Sequence, residues 1–491
     1  MELQFQESSC DFLRTVTQEV LSQEQTQEVR LPDSMPDIGR ILAAWGQPMI
    51  RSKEWRSSGM TASGGIMAWV LYAPEDGTPP RSVETWIPFQ LRWDFPQTQR
   101  DGTMRMDCRL SSVDARSLSA RKLMIRAQLS ALGEALEPDK ASISHPGELP
   151  KDIELLQQTY PVVMPKEAGE KTFALDEELE LPTDRKDGRK LLYFSLRPEL
   201  TDQKVMGDKV VFRGSALGHT LLQREDGSVT VWDFEIPFSQ YAQLDKEYGP
   251  EGSCDVLMAL TNLEMELTDS GNLRVKAGLV GQYLVHDRAM ITVVLDAYSP
   301  KREVKQEITM LRLPALLDHL RNTVTATKVL PSQDDEVTDI CFHLGYPQVS
   351  REGDRWVADL AGSFQLLTDK PEGQTLHWDT SVDAAAGGDT KVWAGAWPSG
   401  MPRVSDGEAK CDVHILMKFM GQTQIPMVSA LMVGEEKALD PQRPSLILVR
   451  PGDDRLWDIA KANHTTVEAI REANGFLEEA AENSFLLIPI P

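Results

Sequence analysis

A set of short motifs recurs along the chain at a nearly constant spacing, and this periodicity constrains the fold more than any other feature. The pair Leu31-Pro32 returns as Leu181-Pro182 and as Leu330-Pro331, after 150 and then 149 residues. Ile87-Pro-Phe89 returns as Ile236-Pro-Phe238, 149 residues later. Two more sets recur at a similar spacing: Asp76-Gly77, Asp226-Gly227 and Glu372-Gly373, after 150 and then 146 residues, and Gly64, Gly214 and Gly362, after 150 and then 148 residues. Because unrelated motifs share one offset, we infer a tandem duplication with three copies.

The copies carry the alternating pattern of antiparallel β-structure. Val210 and Phe212 precede the pair Asp226-Gly227, and Val229 and Val231 follow it. Apolar residues at every second position on both sides of an Asp-Gly pair are typical of two strands joined by a tight turn. The sequence therefore predicts a mainly β protein with three tandem antiparallel β-rich domains.

The predicted domains follow one another directly along the chain. Two charged, Pro-rich segments between the copies, 137–180 and 299–309, contain alternating apolar residues. We interpret them as the first strands of the next copy, with disordered linkers as the alternative. Residues 152–158 are a candidate for a short helix. The predicted domains are 1–137 (core 31–137), 138–298 (core 181–290) and 299–433 (core 330–433), followed by a linker at 434–445 and a C-terminal domain at 446–491.

The C-terminal domain follows a different pattern, with two helices between two strands. Leu446–Val449 and Leu486–Ile488 are predicted strands. The apolar spacing within 456–460 predicts a first helix, for which an Asp of the preceding turn is available as the cap. The segment Thr465–Glu468 forms a capping box for a second helix, and Asn474-Gly475 ends it. The pattern predicts a small α+β domain with βααβ order.

Composition excludes several classes of function. The net charge of −24 argues against nucleic acid and against an anionic membrane surface, and leaves a basic protein partner or simple solubility. The longest apolar runs fall short of the ~18 residues that indicate a membrane span. Residues 1–10 lack the basic and apolar regions of a secretory signal. We therefore expect a cytoplasmic protein whose five cysteines are reduced.

The sequence carries no motif for phosphate binding, for a serine nucleophile elbow or for hydrolytic zinc. Cys254 and Cys411 share one position in the repeat, and Cys108 has a similar one. Cysteines on equivalent strands are typical of small core residues rather than of metal ligands. The eight histidines are scattered singly. We predict no enzyme activity, no catalytic residues, no cofactor and no metal site.

The repeats resemble the SPOCS domain, a β-rich unit found in spore-forming Firmicutes. The resemblance rests on the Leu-Pro opening followed by Asp37-Ile38 and Ile41-Leu42, on Leu71-Tyr72 before the Asp-Gly turn, and on the Ile-Pro-Phe strand. The second copy departs from this pattern, because it opens with residues 187–192 without the spacing of the first copy.

The C-terminal segment resembles the LysM domain, which usually holds polymers of N-acetylglucosamine. Its first loop, residues 451–457, is one residue longer than the usual Gly-Asp-Thr-Leu-Trp pattern. Three SPOCS units followed by a LysM domain are similar to the SipL-like morphogenetic proteins of clostridial endospore formers. In that family the LysM domain binds protein.

The resemblance implies a non-enzymatic scaffold that tethers the spore coat at the forespore surface. Its partner would be stage IV sporulation protein A, the ATPase that polymerises into the basement layer of the coat, and other coat proteins are possible partners. Its place would be the mother-cell cytoplasm, at the outer forespore membrane. The alternative is a protein that binds peptidoglycan or N-acetylglucosamine through its LysM domain.

We predict the partner-binding face of the LysM-like segment around Ile447 and Trp457. Ile447 alternates with Leu446 and Leu448, which we take to point inward, and Trp457 is rotated ~100° from its neighbour in the helix core. An apolar centre with an acidic rim is typical of an interface. The alternative is that Ile447 and Trp457 belong to the core of the small domain. The predicted binding residues are Ile447, Asp453, Asp454, Trp457, Asn474 and Phe476.

Overall fold

The computed structural model describes residues 2–98, 101–185, 187–331, 336–368, 374–385, 390–436, 444–450, 454–475 and 485–490. Within these residues the chain is mainly β-structure, its strands pair antiparallel, and two short helices lie near the C-terminus. The predicted fold class is confirmed. Neither of these helices has the length or the apolar content to cross a membrane.

The described strands fall into three consecutive groups and a C-terminal module. A short strand β1 (Glu2–Gln4) precedes repeat 1, which comprises β2 (Gln6–Arg30), β3 (Ile38–Arg56), β4 (Gly59–Pro74), β5 (Arg81–Asp94), β6 (Thr103–Ser119) and β7 (Lys122–His145). Repeat 2 comprises β8 (Glu154–Leu179), a 3-10 turn (Thr183–Arg185), β9 (Gly188–Arg224), β10 (Val229–Tyr248), β11 (Ser253–Leu267) and β12 (Leu273–Tyr298). Repeat 3 comprises β13 (Arg302–Val329), β14 (Val337–Leu344), β15 (Gln348–Glu352), β16 (Arg355–Thr368), β17 (Gln374–Ala385), β18 (Lys391–Ser405) and β19 (Glu408–Glu436). The C-terminal module comprises β20 (Leu446–Val449), α1 (Leu456–Ala462), α2 (Val467–Ala473) and β21 (Leu486–Pro489).

One sheet topology occurs in all three repeats. In repeat 1, the first strand pairs with the last, and the penultimate strand completes the sheet β2-β7-β6, while the middle strands form the sheet β3-β4-β5. Repeat 2 has the corresponding sheets β8-β12-β11 and β9-β10. Repeat 3 has β13-β19-β18 and a second sheet centred on β16. Each repeat is therefore made of two antiparallel sheets, and the two ends of its chain segment meet in one of them.

Strand β9 supplies two of the middle strands of repeat 2. Gly207, near its midpoint, has a φ of 61°, a left-handed conformation that favours glycine. The hydroxyl of Thr201 donates to the carbonyl oxygen of Arg213 at 3.3 Å, so the two halves of β9 lie side by side. The second half pairs with β10.

Equivalent landmarks have equivalent surroundings. A Cβ atom at Gly64, Gly214 or Gly362 would lie 2.1, 2.1 or 2.5 Å from a carbonyl oxygen of a neighbouring strand segment. Any larger residue at these positions would push the strands apart. The pairs at 76–77 and 226–227 lie at turns between strands, where the glycines have φ values of 75° and 87°. The third pair, 372–373, lies outside the described residues.

The predicted domain division stays a prediction, although the strand ends bear on it. Strand β7 continues to His145, so the predicted boundary at 137/138 falls inside it. The segments 154–179 and 302–329 are long strands that pair with β12 and β19. The candidate helix at 152–158 is wrong, because pairing with β12 along the strand overrides a weak local helix signal. Most of the predicted linker, residues 437–443, lies outside the described residues.

The C-terminal module has the predicted βααβ order, but its helix caps differ from the prediction. Helix α1 begins after Arg455, which makes no side-chain cap, instead of after an Asp. The cap of α2 is Thr466, whose hydroxyl accepts a hydrogen bond from the amide of Ala469 at 3.0 Å. Thr465 is buried and its carbonyl oxygen accepts a hydrogen bond from the hydroxyl of Tyr298, so the helix begins one residue later.

The three repeats pack against one another in a ring. Trp45 of repeat 1 stacks on Tyr193 of repeat 2, with ring centroids 4.5 Å apart and 11° between the planes. Repeats 2 and 3 meet at an ion pair between Asp255 and Lys418. Repeats 3 and 1 are joined through β1, which pairs with β19. The three repeats therefore contact one another and are not independent domains joined only by linkers.

Candidate functional site

The C-terminal module is attached to repeat 2 through one tryptophan. Trp457 lies in α1 and is 8% exposed. Its indole Nε1 donates to Oδ2 of Asp296 at 2.8 Å. Its ring packs edge-on against Tyr298, with centroids 4.8 Å apart and 76° between the planes. Both partners belong to β12, so the module docks at the end of the last strand of repeat 2.

Asp296 collects several donors at this contact. Lys461 Nζ lies 2.7 and 2.8 Å from its two carboxylate oxygens, and Gln306 of repeat 3 donates a further hydrogen bond. Burial alone would raise the pKa of Asp296, but the hydrogen bonds from Lys461, Trp457 and Gln306 outweigh it and hold this pKa below its usual value. The ionised carboxylate therefore joins the C-terminal module to repeats 2 and 3.

The antiparallel strand pair of the module, β20 with β21, presents an apolar surface on the side away from the helices that connect the two strands. Leu448 lies opposite Leu487 in the pairing of β20 with β21. Leu446 and Leu448 are 51% and 56% exposed, and Phe485, just before β21, is 61% exposed. Contiguous exposed apolar surface of this kind marks interaction sites. We name these residues the hairpin face: Leu446, Leu448, Phe485 and Leu487.

A cavity of about 430 Å³ lies where the three repeats meet. His286 is buried beside it, with Nδ1 3.8 Å from Oδ2 of Asp255. Burial lowers the pKa of His286 to about 4, so its ring is neutral at pH 7. Buried charges are tolerated when they are paired. Among the described residues, four pairs of opposite charge line the cavity: Arg105 with Glu134, Arg109 with Asp107, Arg197 with Glu199, and Lys418 with Asp255.

The cysteines at repeat positions are core residues, as expected. Cys108, Cys254 and Cys411 are buried, and all five cysteines are free thiols. Burial raises the pKa of Cys254 to about 12 and that of Cys411 to about 11. Since the thiolate is the reactive form, these thiols are poor nucleophiles in the folded protein.

Residues 447–477 match the LysM domain family. The C-terminal module is a LysM domain. No curated protein and no solved structure matches the chain. A LysM domain suggests binding of peptidoglycan or another carbohydrate, or a role in protein scaffolding.

The LysM domain reverses the exposure that we predicted for two of its residues. Ile447 lies opposite Ile488, which is fully buried, while Leu446 and Leu448 point outward. Directly opposite residues of antiparallel strands share a face, so Ile447 points toward the helices. Trp457 is covered by repeat 2 instead of facing solvent. The predicted exposed patch of Ile447 and Trp457 is therefore wrong.

The other predicted residues are spread around the LysM domain. Asn474 ends α2 and ties it to β21, because its Nδ2 donates to the Leu487 carbonyl at 2.7 Å and its Oδ1 accepts from the Leu487 amide at 2.8 Å. Asp454 is exposed before α1. Asp453 and Phe476 lie outside the described residues. The structure thus places Asn474 next to the hairpin face. The binding role of the six residues predicted from the sequence stays a prediction.

The hairpin face has no clear signal in the sequence. Residues 485–490 are apolar throughout, so no alternation indicates which side chains point outward. The faces are set by packing, since Leu486 and Ile488 lie against the helices and are buried. The alternation of exposed and inward residues could have been inferred only from the pairing of β20 with β21.

Proposed function

We propose that the protein is a non-enzymatic scaffold of the spore coat that binds stage IV sporulation protein A through its LysM domain. It acts in the mother-cell cytoplasm, at the outer forespore membrane, and helps to tether the coat to the forespore. The order of the parts carries this proposal: three β-rich repeats of one topology precede a C-terminal LysM domain, as in the SipL-like morphogenetic proteins.

The attachment of the LysM domain supports a scaffold role. The contact of Trp457 with Asp296 and Tyr298 holds the domain on the repeats, while the hairpin face stays exposed on its other side. A ligand bound at the hairpin face would therefore be held in a defined orientation relative to the body. Exposed leucines and a phenylalanine next to polar groups suit the apolar centre of a protein interface.

A binding role rather than a catalytic one agrees with the chemistry of the central cavity. Its charged side chains pair with one another, either within a repeat, as Arg105 does with Glu134, or across two repeats, as Lys418 does with Asp255. Tyr346 of repeat 3 donates a hydrogen bond to Asp107 of repeat 1 at 2.5 Å. Groups held in this way stabilise the junction and are not poised for proton transfer to a ligand.

The second candidate function is binding of peptidoglycan or another polymer of N-acetylglucosamine. The match of residues 447–477 to the LysM domain favours it, because carbohydrate binding is one of the roles that this domain suggests. The sugar would bind between the loops 452–455 and 474–477. The hairpin face lies on the two strands, next to Asn474 of the second loop, so the two functions differ in the ligand that is bound.

Binding of the full-length chain to two immobilised ligands separates the candidates. One ligand is purified stage IV sporulation protein A and the other is insoluble peptidoglycan. We expect retention on the ATPase. The variant Leu448→Asp places a charge at the centre of the hairpin face. It should weaken this binding at least tenfold, which corresponds to a loss of about 1.4 kcal/mol of binding free energy.

Leu118→Asp is the matched control, because Leu118 is another exposed leucine, 41% exposed, on β6 of repeat 1. It should bind the ATPase like the unaltered chain. Retention on peptidoglycan without retention on the ATPase would replace the proposal with the second candidate. Equal ATPase binding by Leu448→Asp and Leu118→Asp would exclude the hairpin face as the contact surface.

A further inference from the structure

Four side chains with metal-binding chemistry converge where repeat 2 meets repeat 3. His219 on β9 and Asp233 on β10 are directly opposite each other in an antiparallel pair, so they share one face of their sheet. Asp339 and Cys341 lie two positions apart on β14, so they share one face of that strand. The packing of β14 against the sheet of repeat 2 brings the two pairs together.

The distances within this cluster are those of ligands around one centre. His219 Nε2 lies 3.1 Å from Asp339 Oδ1, and Asp339 Oδ2 lies 3.9 Å from Cys341 Sγ. The three candidate ligand atoms of His219, Asp339 and Cys341 all lie within 4.8 Å of one another. Two nitrogen or oxygen ligands of one tetrahedral zinc are about 3.3 Å apart, and a sulfur and an oxygen ligand about 3.6 Å, given Zn–N, Zn–O and Zn–S bonds of about 2.0–2.3 Å.

His219 points an unpartnered nitrogen into the cluster. Its Nδ1 donates to Asp233 Oδ1 at 2.6 Å, which leaves the lone pair of a neutral ring on Nε2. Nε2 makes no hydrogen bond in the described residues, although Asp339 Oδ1 is only 3.1 Å away. The residue is 8% exposed, so water does not solvate this nitrogen freely. A nitrogen lone pair facing a carboxylate at this distance is unfavourable unless a cation, either a proton on Nε2 or a metal ion, lies between the two atoms.

We propose that His219, Asp339 and Cys341 bind a zinc ion that links repeat 2 to repeat 3. Asp233 is not a ligand in this arrangement but a positioning residue, which orients the imidazole through Nδ1 as outer carboxylates do at zinc sites. A cavity of about 190 Å³ lined by His219, Asp233 and Asp339 opens onto the cluster. It has room for a water molecule as the fourth ligand and provides a path by which the ion enters.

The charges balance when the ion binds. The Cys341 thiol releases its proton to solvent as the Zn–S bond forms, and the thiolate and the Asp339 carboxylate together neutralise Zn²⁺. No oxidant or reductant is involved. Because His219 comes from one repeat and Asp339 and Cys341 from the next, each bound ion adds a link between the repeats that unfolding must break. This site is independent of the LysM domain and of the scaffold function.

The test uses the full-length chain, produced without a histidine tag and purified without chelator. Zinc per chain is measured by mass spectrometry, and added Co²⁺ serves as a spectroscopic probe, because a cobalt–thiolate bond gives a strong near-ultraviolet absorption band. We expect one metal ion per chain and a thermal unfolding midpoint that rises when Zn²⁺ is added. Cys341→Ser should abolish the thiolate band and lower the affinity for Co²⁺ at least about 100-fold.

Two further variants complete the test. Cys10→Ser, which removes a partly buried thiol outside the cluster, should keep the band and the stoichiometry. Asp233→Asn keeps all three ligands and should lower the affinity for Co²⁺ about 10–100-fold, as loss of an orienting carboxylate does. It serves as the deciding variant if Cys341→Ser changes the circular dichroism of the chain. No metal uptake by the unaltered chain, or a thiolate band that persists in Cys341→Ser, would overturn the proposal and leave a protonated His219 between two carboxylates.

Discussion

The two junctions of repeat 2 are built from opposite kinds of side chain. Toward repeat 1, Tyr193 is buried between Trp45 and Trp69, at centroid distances of 4.5 and 5.3 Å. Toward repeat 3, Asp255 pairs with Lys418, and ionisable groups surround the contact. The first contact joins the middle sheets of its two repeats, and the second joins the sheets that contain the first and last strands. One excludes water from apolar rings, and the other compensates buried charges.

This difference predicts how each junction responds to its surroundings. The free energy gained by burying apolar rings depends on the area removed from water and does not change with protonation. A buried ion pair gains little net stability over apolar contact, yet loss of one partner is costly because a charge stays buried without compensation. Solution conditions should therefore loosen the junction of repeats 2 and 3 while the aromatic junction stays closed.

The largest expected effect comes from removing the centre of the aromatic junction. Trp45 is fully buried, and Trp45→Ala leaves a cavity against Tyr193. It should lower the free energy of unfolding by about 3–5 kcal/mol, measured from urea unfolding at several pH values. Trp86→Ala, at a half-buried tryptophan of the same repeat, is the control and should cost clearly less. If the loss of unfolding free energy caused by Trp45→Ala changed with pH, the aromatic junction would not differ from the ionisable one in its response to protonation.

Acid should act on the ionisable junction. Burial lowers the pKa of His286 to about 4, against about 6.5 in the unfolded chain. Between these pH values His286 is protonated in the unfolded chain and neutral in the folded chain. Its contribution to the free energy of unfolding is therefore fully present above pH 6.5 and is lost as the pH falls toward 4. The loss should reach about 3 kcal/mol, at no more than about 1.4 kcal/mol per pH unit. Asp255, Lys418 and Arg105 face this ring.

Urea unfolding of the unaltered chain and of His286→Gln between pH 7 and pH 4.5 measures this contribution. The glutamine does not titrate, so the variant should lose less stability than the unaltered chain over that range. Identical pH slopes for the two chains would show that His286 is not the group responsible.

The smallest expected effect is at the docking of the LysM domain, where an aromatic contact and a charge occur together. Trp457→Phe keeps a ring against Tyr298 and removes the hydrogen bond to Asp296. Because Lys461 still compensates the charge of that carboxylate, the docking of the LysM domain should lose about 1.5 kcal/mol of stability. Hydrogen exchange of the α1 amides measures it, and Trp232→Phe in repeat 2 is the control. An unchanged exchange rate would show that the ring alone holds the domain.

Local features of the fold could be predicted from the sequence. The offset of the motifs revealed three copies, and the alternation around Asp226-Gly227 revealed the hairpin of β9 and β10. The pairing of first with last strand could not be inferred, because Gln6 meets His145 across most of a repeat without any local signal. The ends of the strands could not be predicted either. Strand β7 continues to His145 because it pairs with β2, whereas the pattern of repeat 1 ended the first domain at residue 137.

The candidate sites were less predictable than the fold. The order of elements in the LysM domain followed from local spacing, whereas the burial of Trp457 depends on β12, more than a hundred residues earlier. His219 and Cys341 likewise belong to different repeats and show no metal-ligand spacing along the chain. Chemistry assembled at a junction between repeats is visible only when the packing of the repeats is known.

The pairing of β1 with β19 has a consequence for synthesis on the ribosome. Gln4 lies beside Ala430, which is 426 positions later. At translation rates of about 5–20 residues per second, the first strand waits on the order of 20–85 seconds for its partner. During that interval its edge is open to other chains, which is where misassembly begins. The ring of repeats can close only after the third repeat has emerged, so crowded polysomes and N-terminal fusion tags are the conditions under which this protein should misassemble first.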